Sequence, residues 1–229
     1  MTHPLAQFAA NITQARDVLG LAAAVDAQTT GALNTNELLR AALVASVSAL
    51  DHYVHEVVRE GMIAIADGAR PTTGAFRRFS VSVDAATRAS QGTAPRVWMD
   101  EEVRRSHGHL SFQQPSKIAD AVRLVWDGQL WPSVATALSS NAADEKRKIQ
   151  LIVSRRNRIV HEADRDPTPP NDRWPITLQD VESAISTISA TVGAIDCIIA
   201  LPPARVLSAD SRTGDFHVTA GTPVELRHA

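Results

Sequence analysis

The chain has little cysteine and almost no net charge, and each of these shortages excludes some classes of protein. Its one cysteine, Cys197, excludes an intramolecular disulfide and is typical of proteins from a reducing compartment. The formal net charge of −2 over 229 residues creates no basic field around the whole protein. Any contact with RNA or DNA must therefore come from a local group of cations.

The sequence also predicts neither a targeting segment nor a membrane-spanning segment. Residues 1–11 have neither the basic start nor the apolar core of a secretory signal. Uncharged runs such as 41–50 and 183–195 are shorter than the roughly 18 residues that a membrane-spanning helix needs. We therefore predict a cytoplasmic protein without a membrane partner.

Aromatic residues make up only 4% of the chain, whereas Ala, Leu, Val and Ile are abundant, which favours helices over a β-sandwich. Apolar residues recur at steps of three and four, the period of an α-helix, over most of residues 1–201. We predict an all-α helical bundle there, followed by a tail over 202–229 that is a short hairpin or an irregular extension. The predicted helices cover residues 4–27, 36–66, 83–89, 96–107, 115–125, 132–138, 141–163 and a last one that begins at a capping-box-like sequence over 177–180.

One stretch, residues 155–161, interrupts the packing pattern of the predicted helix over 141–163. Arg156 lies in the middle of a stripe of aliphatic residues at positions 149, 152, 153, 159 and 160. A charged guanidinium that is buried without a partner costs about 3–5 kcal/mol. We therefore expect Arg156 to meet an anionic ligand or a carboxylate, and Asp51 or Glu56 from the second predicted helix are candidates for that carboxylate.

The helical period also separates Arg156 from His161. At about 100° per residue, Asn157 and His161 lie about 40° apart around the helix, whereas Arg156 and His161 lie about 140° apart. Two arrangements bring Arg156 and His161 to one ligand. Either the helix ends near His161, or two copies of the helix meet about a symmetry axis, so that Arg156 of one chain approaches His161 of the other. The second arrangement also explains an arginine in an aliphatic stripe, so we predict a site at the cleft of a homodimer.

An arginine and a histidine without a cysteine nucleophile or a glycine-rich phosphate loop suit a phosphodiester substrate. Imidazole exchanges a proton near neutral pH, and guanidinium binds phosphate oxygens through two parallel hydrogen bonds. The 2′-hydroxyl of RNA supplies the nucleophile, so neither a metal nor another cofactor is needed. A histidine pair, His52 and His55, could chelate a metal, but a third strong ligand is missing and a solvated face is the preferred interpretation.

The sequence over 156–161, Arg-Asn-Arg-Ile-Val-His, resembles the R-x4-H motif of HEPN domains, including the polar residue after the arginine and the two aliphatic residues before the histidine. Residues 38–56 of the second predicted helix resemble the long first-half helix of the RiboL-PSP branch of that superfamily. The resemblance implies a helical homodimer that cleaves RNA without metal, in toxin–antitoxin, antiviral defence or RNA-processing systems. It also implies a possible antitoxin or regulatory protein as a partner.

The resemblance assigns roles to residues of the motif. His161 would act as general base or acid, Arg156 would stabilise charge on the scissile phosphate, and Asn157 would orient the histidine or the phosphate. Further phosphate contacts are expected from Arg155, Arg158, Lys146 and Lys148. Three residues could hold the site residues in place without contacting the substrate: Asp51, His55 and Glu56. The tyrosine that often follows the histidine by two residues is Ala163 here, which puts silencing through that tyrosine in doubt. The alternative function is a noncatalytic helical module that binds a nucleotide or a partner protein.

Overall fold

A computed structural model describes residues 3–29, 32–168 and 172–200. Within these residues the chain is all α-helical, as predicted, with one short 3-10 helix over Phe76–Arg78. The predicted tail over 202–229 lies outside the described residues. The helices are α1 (Pro4–Thr29), α2 (Asn36–Ala66), α3 (Val83–Ser90), α4 (Pro95–His107), α5 (Pro115–Val122), α6 (Leu130–Ala137), α7 (Ala142–His161) and α8 (Leu178–Ala200).

The long helix α2 lies at the centre of the bundle. It packs against α1, α4, α5, α7 and α8, and its side chains Leu50, Tyr53 and Met62 are fully buried. Buried residues occur along both halves of α2, from Leu39 to Ile65. Because α2 contacts both α4 and α7, it holds in place the two helices whose ends form the candidate site described below.

Side-chain caps fix the start of three helices at the predicted places. Ser82 Oγ accepts a hydrogen bond from the amide of Ala85 at 3.1 Å, and Asn141 Oδ1 accepts one from the amide of Asp144 at 2.9 Å. At α8, the Asp180 amide donates to Thr177 Oγ1 at 3.1 Å and the Thr177 amide donates to Asp180 Oδ2 at 3.0 Å. The capping box with aspartate in place of glutamate is therefore present.

Helix α8 is the one helix among the described residues that is both long and apolar enough to resemble a membrane span. By length and composition alone it could cross a membrane, because an 18-residue window of it has a mean hydropathy of 1.6. Half of that window, 50%, is buried inside the protein. A core helix passes the same test, and α8 packs against α1, α2, α6 and α7 through a regular seam of buried aliphatic side chains. Its packing is that of a core helix in a globular bundle.

Helix α7 ends two residues earlier than predicted, at His161. Ala163 and Asp164 have φ angles of 52° and 58°, a left-handed conformation that turns the chain away from the helix axis. The fully buried Asp164 carboxylate accepts hydrogen bonds at 2.8 Å from Arg40 Nε and from Arg155 Nη2. These two charged hydrogen bonds anchor the turn, and they thereby fix where α7 stops.

Candidate functional site

The three motif residues Arg156, Asn157 and His161 line one cavity of about 660 Å³ in a single chain. Helix α7 ends at His161, as in the first of the two arrangements, and both side chains line the same cavity, while the dimer cleft stays a prediction. A cleft between two chains is therefore not needed to bring Arg156 and His161 together.

The position of Arg156 explains the interrupted aliphatic stripe of α7. Ile149 and Val153 are buried in the core, and Val153 also lines the cavity. The next position on that face is Arg156, which is half-buried at the point where the face leaves the core. Val160, predicted to belong to the stripe, is instead 46% exposed because the helix has passed the core by then.

Arg156 has no carboxylate partner among the described residues. Its Nη1 donates to Asn157 Oδ1 at 3.2 Å, and its Nε is buried without a hydrogen-bond partner. The predicted carboxylate partners, Asp51 and Glu56, have other partners. An anion in the cavity would give the guanidinium the partner that it lacks.

The opposite wall of the cavity is the connection between α4 and α5, which the sequence analysis missed. It contributes His107 at the end of α4, His109 in the following turn, and Lys117 in the first turn of α5. The sequence signal was present as a His-Gly-His triplet at a predicted helix end, but nothing in the sequence indicated that this connection faces α7.

Cations outnumber carboxylates around the cavity. Two cations, Arg156 and Lys117, line it together with three histidines, and Asp120 is the one carboxylate among the described lining residues. Asp120 accepts a hydrogen bond at 2.6 Å from Arg123, which does not line the cavity. Leu110, Phe112 and Leu124 add apolar surface. This lining suits an anionic ligand that also has an apolar part. In the described chain, no group of three or more His, Cys, Asp or Glu side chains is arranged to hold a metal ion.

Two of the predicted supporting residues lie behind the cavity wall. Asp51 accepts hydrogen bonds from the amide of Phe112 at 2.6 Å and from Gln113 Nε2 at 2.9 Å. The ring of His55 lies 4.5 Å from that of Phe112, and its Nε2 is 3.8 Å from Asp51 Oδ1. Asp51 and His55 therefore hold the connection between α4 and α5 against α2.

Glu56, the third predicted supporting residue, belongs to a separate ion-pair group. Its carboxylate accepts a hydrogen bond from Arg59 Nη2 at 2.7 Å and lies 3.8 Å from Arg104 Nη1. Arg59 and Arg104 hold the pKa of this carboxyl below its ordinary value, against the opposing effect of its partial burial. Glu56 does not line the cavity.

The predicted phosphate contacts of the motif have other partners. Arg155 Nη2 is bound to Asp164 at 2.8 Å and to the carbonyl oxygens of Trp174 and Pro175 at 3.1 and 3.0 Å, which favours a structural role. The Arg158 guanidinium lies 5.5 Å from the centre of the Trp174 ring. Neither arginine lines the cavity.

The two predicted phosphate-binding lysines lie near the other end of α7. Lys148 precedes His161 by enough residues to place it about 20 Å away along the helix axis. Its Nζ donates to Glu145 Oε1 at 2.7 Å, and Lys146 is exposed. Neither lysine lines the cavity, so both could only attract RNA at a distance.

His107 is buried against aromatic rings. Its ring packs edge-on against Phe79 and Phe112, with centroids 5.8 and 5.5 Å away, and its Nδ1 is buried without a hydrogen-bond partner. Burial lowers the pKa of His107, and the neighbouring His55 and His109 lower it further. The folded protein therefore favours the neutral form of this imidazole.

This lowered pKa predicts a loss of stability in mild acid. As the pH falls below about 6.5, the unfolded chain binds a proton at residue 107 before the folded chain does, so the free energy of unfolding decreases until the folded pKa is passed. His107→Phe should lose less stability over this range, which lies above the range where carboxylates titrate. Urea unfolding of both proteins at about pH 7.5 and about pH 5 measures the difference. Equal losses in the two proteins would contradict the assignment.

Searches of protein-family models, of curated proteins and of solved structures each find no match to this chain.

Proposed function

We propose that this cavity is the active site of a metal-independent endoribonuclease of the HEPN type. The observation that supports it most is the meeting of Arg156, Asn157 and His161 in one cavity, where Arg156 has no carboxylate partner among the described residues. A scissile phosphate bound there would neutralise the guanidinium. The apolar part of the lining would contact a sugar or base.

Each motif residue then has a chemical role. His161 exchanges a proton with the 2′-hydroxyl or the 5′-oxygen of the substrate. Arg156 stabilises the charge that develops on the phosphate oxygens. Because Asn157 Oδ1 already accepts from Arg156, its side-chain NH2 group is the part that donates to the phosphate or to His161.

The kind of cellular system in which the enzyme would act follows from the family resemblance. A cytoplasmic enzyme of toxin–antitoxin, antiviral defence or RNA-processing systems would act on cellular RNA and be restrained by an antitoxin or another regulatory protein. A homodimer would place two such cavities in one particle, although the arrangement of Arg156 and His161 does not require it.

A noncatalytic nucleotide-binding module is the second candidate function. The cavity is formed within one chain, has an apolar part, and falls in the range of about 300–1,000 Å³ that is usual for small-ligand sites. Such a module would bind a nucleotide at the same arginine and leave RNA intact. A partner protein bound through this cavity would likewise leave RNA intact.

Incubation of purified protein with total RNA in the presence of EDTA separates the two functions. The proposal expects fragmentation of the RNA that increases with time and protein concentration. Intact RNA together with saturable binding of a nucleotide by calorimetry would favour the noncatalytic module instead.

Arg156→Ala is expected to abolish cleavage and to change the free energy of unfolding by less than about 1 kcal/mol. The substitution removes a half-buried charge that has no carboxylate partner in the described chain, so little native interaction is lost. Arg147→Ala is the matched control, because Arg147 is exposed on the same helix and does not line the cavity. Cleavage assays and urea unfolding of both variants test the prediction. Extensive unfolding of Arg156→Ala would instead identify a structural arginine.

A further inference from the structure

Cleavage of RNA through its 2′-hydroxyl requires two proton transfers. One group removes the proton of the 2′-hydroxyl as its oxygen attacks phosphorus, and another donates a proton to the 5′-oxygen as its bond to phosphorus breaks. The motif helix α7 contributes one histidine to the cavity. The second proton-transfer group must therefore come from another element or from another chain.

The connection between α4 and α5 offers three side chains for this second role. Lys117 is exposed, and its ammonium is a compact point charge that suits phosphate binding better than proton transfer. His107 is 6% exposed and packs against Phe79 and Phe112, so its ring is less accessible to a substrate than an exposed histidine. His109 is exposed and lines the same cavity as His161.

The position of His109 is set by contacts on both sides of it in the chain. The amide of Leu110 donates to the carbonyl oxygen of His107 at 2.8 Å, which closes the turn that contains His109. Three residues further on, Asp51 holds the Phe112 amide and the Gln113 side chain. This connection is thus tied to α2 at a fixed place opposite the end of α7.

We propose that His109 is the second proton-transfer residue, so that His161 and His109 of one chain form a complete acid–base pair across the cavity. This inference rests on the proposed ribonuclease function. One imidazole takes the proton of the 2′-hydroxyl while the O2′–P bond forms. The other imidazole gives its proton to the 5′-oxygen while the P–O5′ bond breaks. The products are a 2′,3′-cyclic phosphate and a 5′-hydroxyl, and no oxidant, reductant or metal takes part.

The pair can be tested with two forms of one oligoribonucleotide, which have oxygen or sulfur at the 5′ position of the scissile bond. A thiolate leaves without being protonated, so sulfur removes the need for the general acid but not for the general base. We expect His109→Ala and His161→Ala each to lose about 10²–10⁴-fold in rate on the oxygen substrate. On the sulfur substrate, one variant should recover to within about tenfold of the wild-type rate, and the other should not.

A histidine with only a structural role would not give this recovery, because a displaced connection impairs both substrates. His52→Ala is the control, since His52 is exposed on α2 and does not line the cavity. Circular dichroism checks that all variants are folded. If wild-type protein cleaves, His161→Ala does not, and His109→Ala cleaves normally, this inference fails and the proposed function stands. If neither variant recovers its rate on the sulfur substrate, the acid–base pair is also overturned. If the wild-type protein does not cleave RNA at all, both proposals are overturned.

Discussion

His161→Ala is expected to lower the rate of RNA cleavage by about 10²–10⁴-fold without unfolding the protein. The imidazole lies at the end of α7, lines the cavity and is exposed, so its removal leaves no void in the core. Substitutions at such surface positions usually change stability by less than about 0.5 kcal/mol. The expected effect is therefore on the chemical step.

The measurement is single-turnover cleavage of a labelled RNA in EDTA by wild-type protein and by the variant, beside urea unfolding of both. His52→Ala serves as the matched control from a solvent-exposed position on α2. Retention of the wild-type rate by His161→Ala would remove this histidine from the mechanism and would favour the noncatalytic module.

Asp164→Ala is expected to destabilise the protein by about 3–5 kcal/mol, the usual loss when one partner of a buried ion pair is removed. Asp164 is fully buried and binds Arg40 and Arg155, and Arg40 is itself only 4% exposed. Without the carboxylate, the Arg40 guanidinium keeps its bonds to the Trp174 carbonyl and to Glu37 but loses its buried counter-charge. Urea unfolding at neutral pH measures the loss.

The control for this substitution is Asp172→Ala, because Asp172 is an exposed carboxylate in the same connection between α7 and α8. It should change the free energy of unfolding by less than about 0.5 kcal/mol. If Asp164→Ala costs less than about 1 kcal/mol, the two arginines do not depend on this carboxylate, and another cause must end α7 at His161.

Much of the bundle was predictable because its signals are local. The period of three and four residues gave the helices, and the Thr177–Asp180 box and Asn141 marked helix starts. Arg156 was recognisable as a functional candidate because an aliphatic residue belongs in its place. In the structure that place is the edge of a cavity.

The parts that escaped prediction depend on contacts between distant segments. Asp164 binds Arg40, which lies 124 positions away in the sequence, and no sequence pattern around Asp164 predicts this contact. Because this contact lies at the end of α7, the sequence alone placed that end two residues too late. Asp51 likewise binds the Phe112 amide across 61 positions, and this contact holds the wall that contains His109.

The chemical form of the RNA ends after cleavage in EDTA tests the central claim most directly. A short oligoribonucleotide is incubated with wild-type protein, and its fragments are weighed by mass spectrometry. The ribonuclease account predicts fragments that end in a 2′,3′-cyclic phosphate, with 5′-hydroxyl groups on their neighbours. An uncut oligonucleotide, or cleavage that requires added Mg²⁺ and leaves 3′-hydroxyl ends, would contradict it.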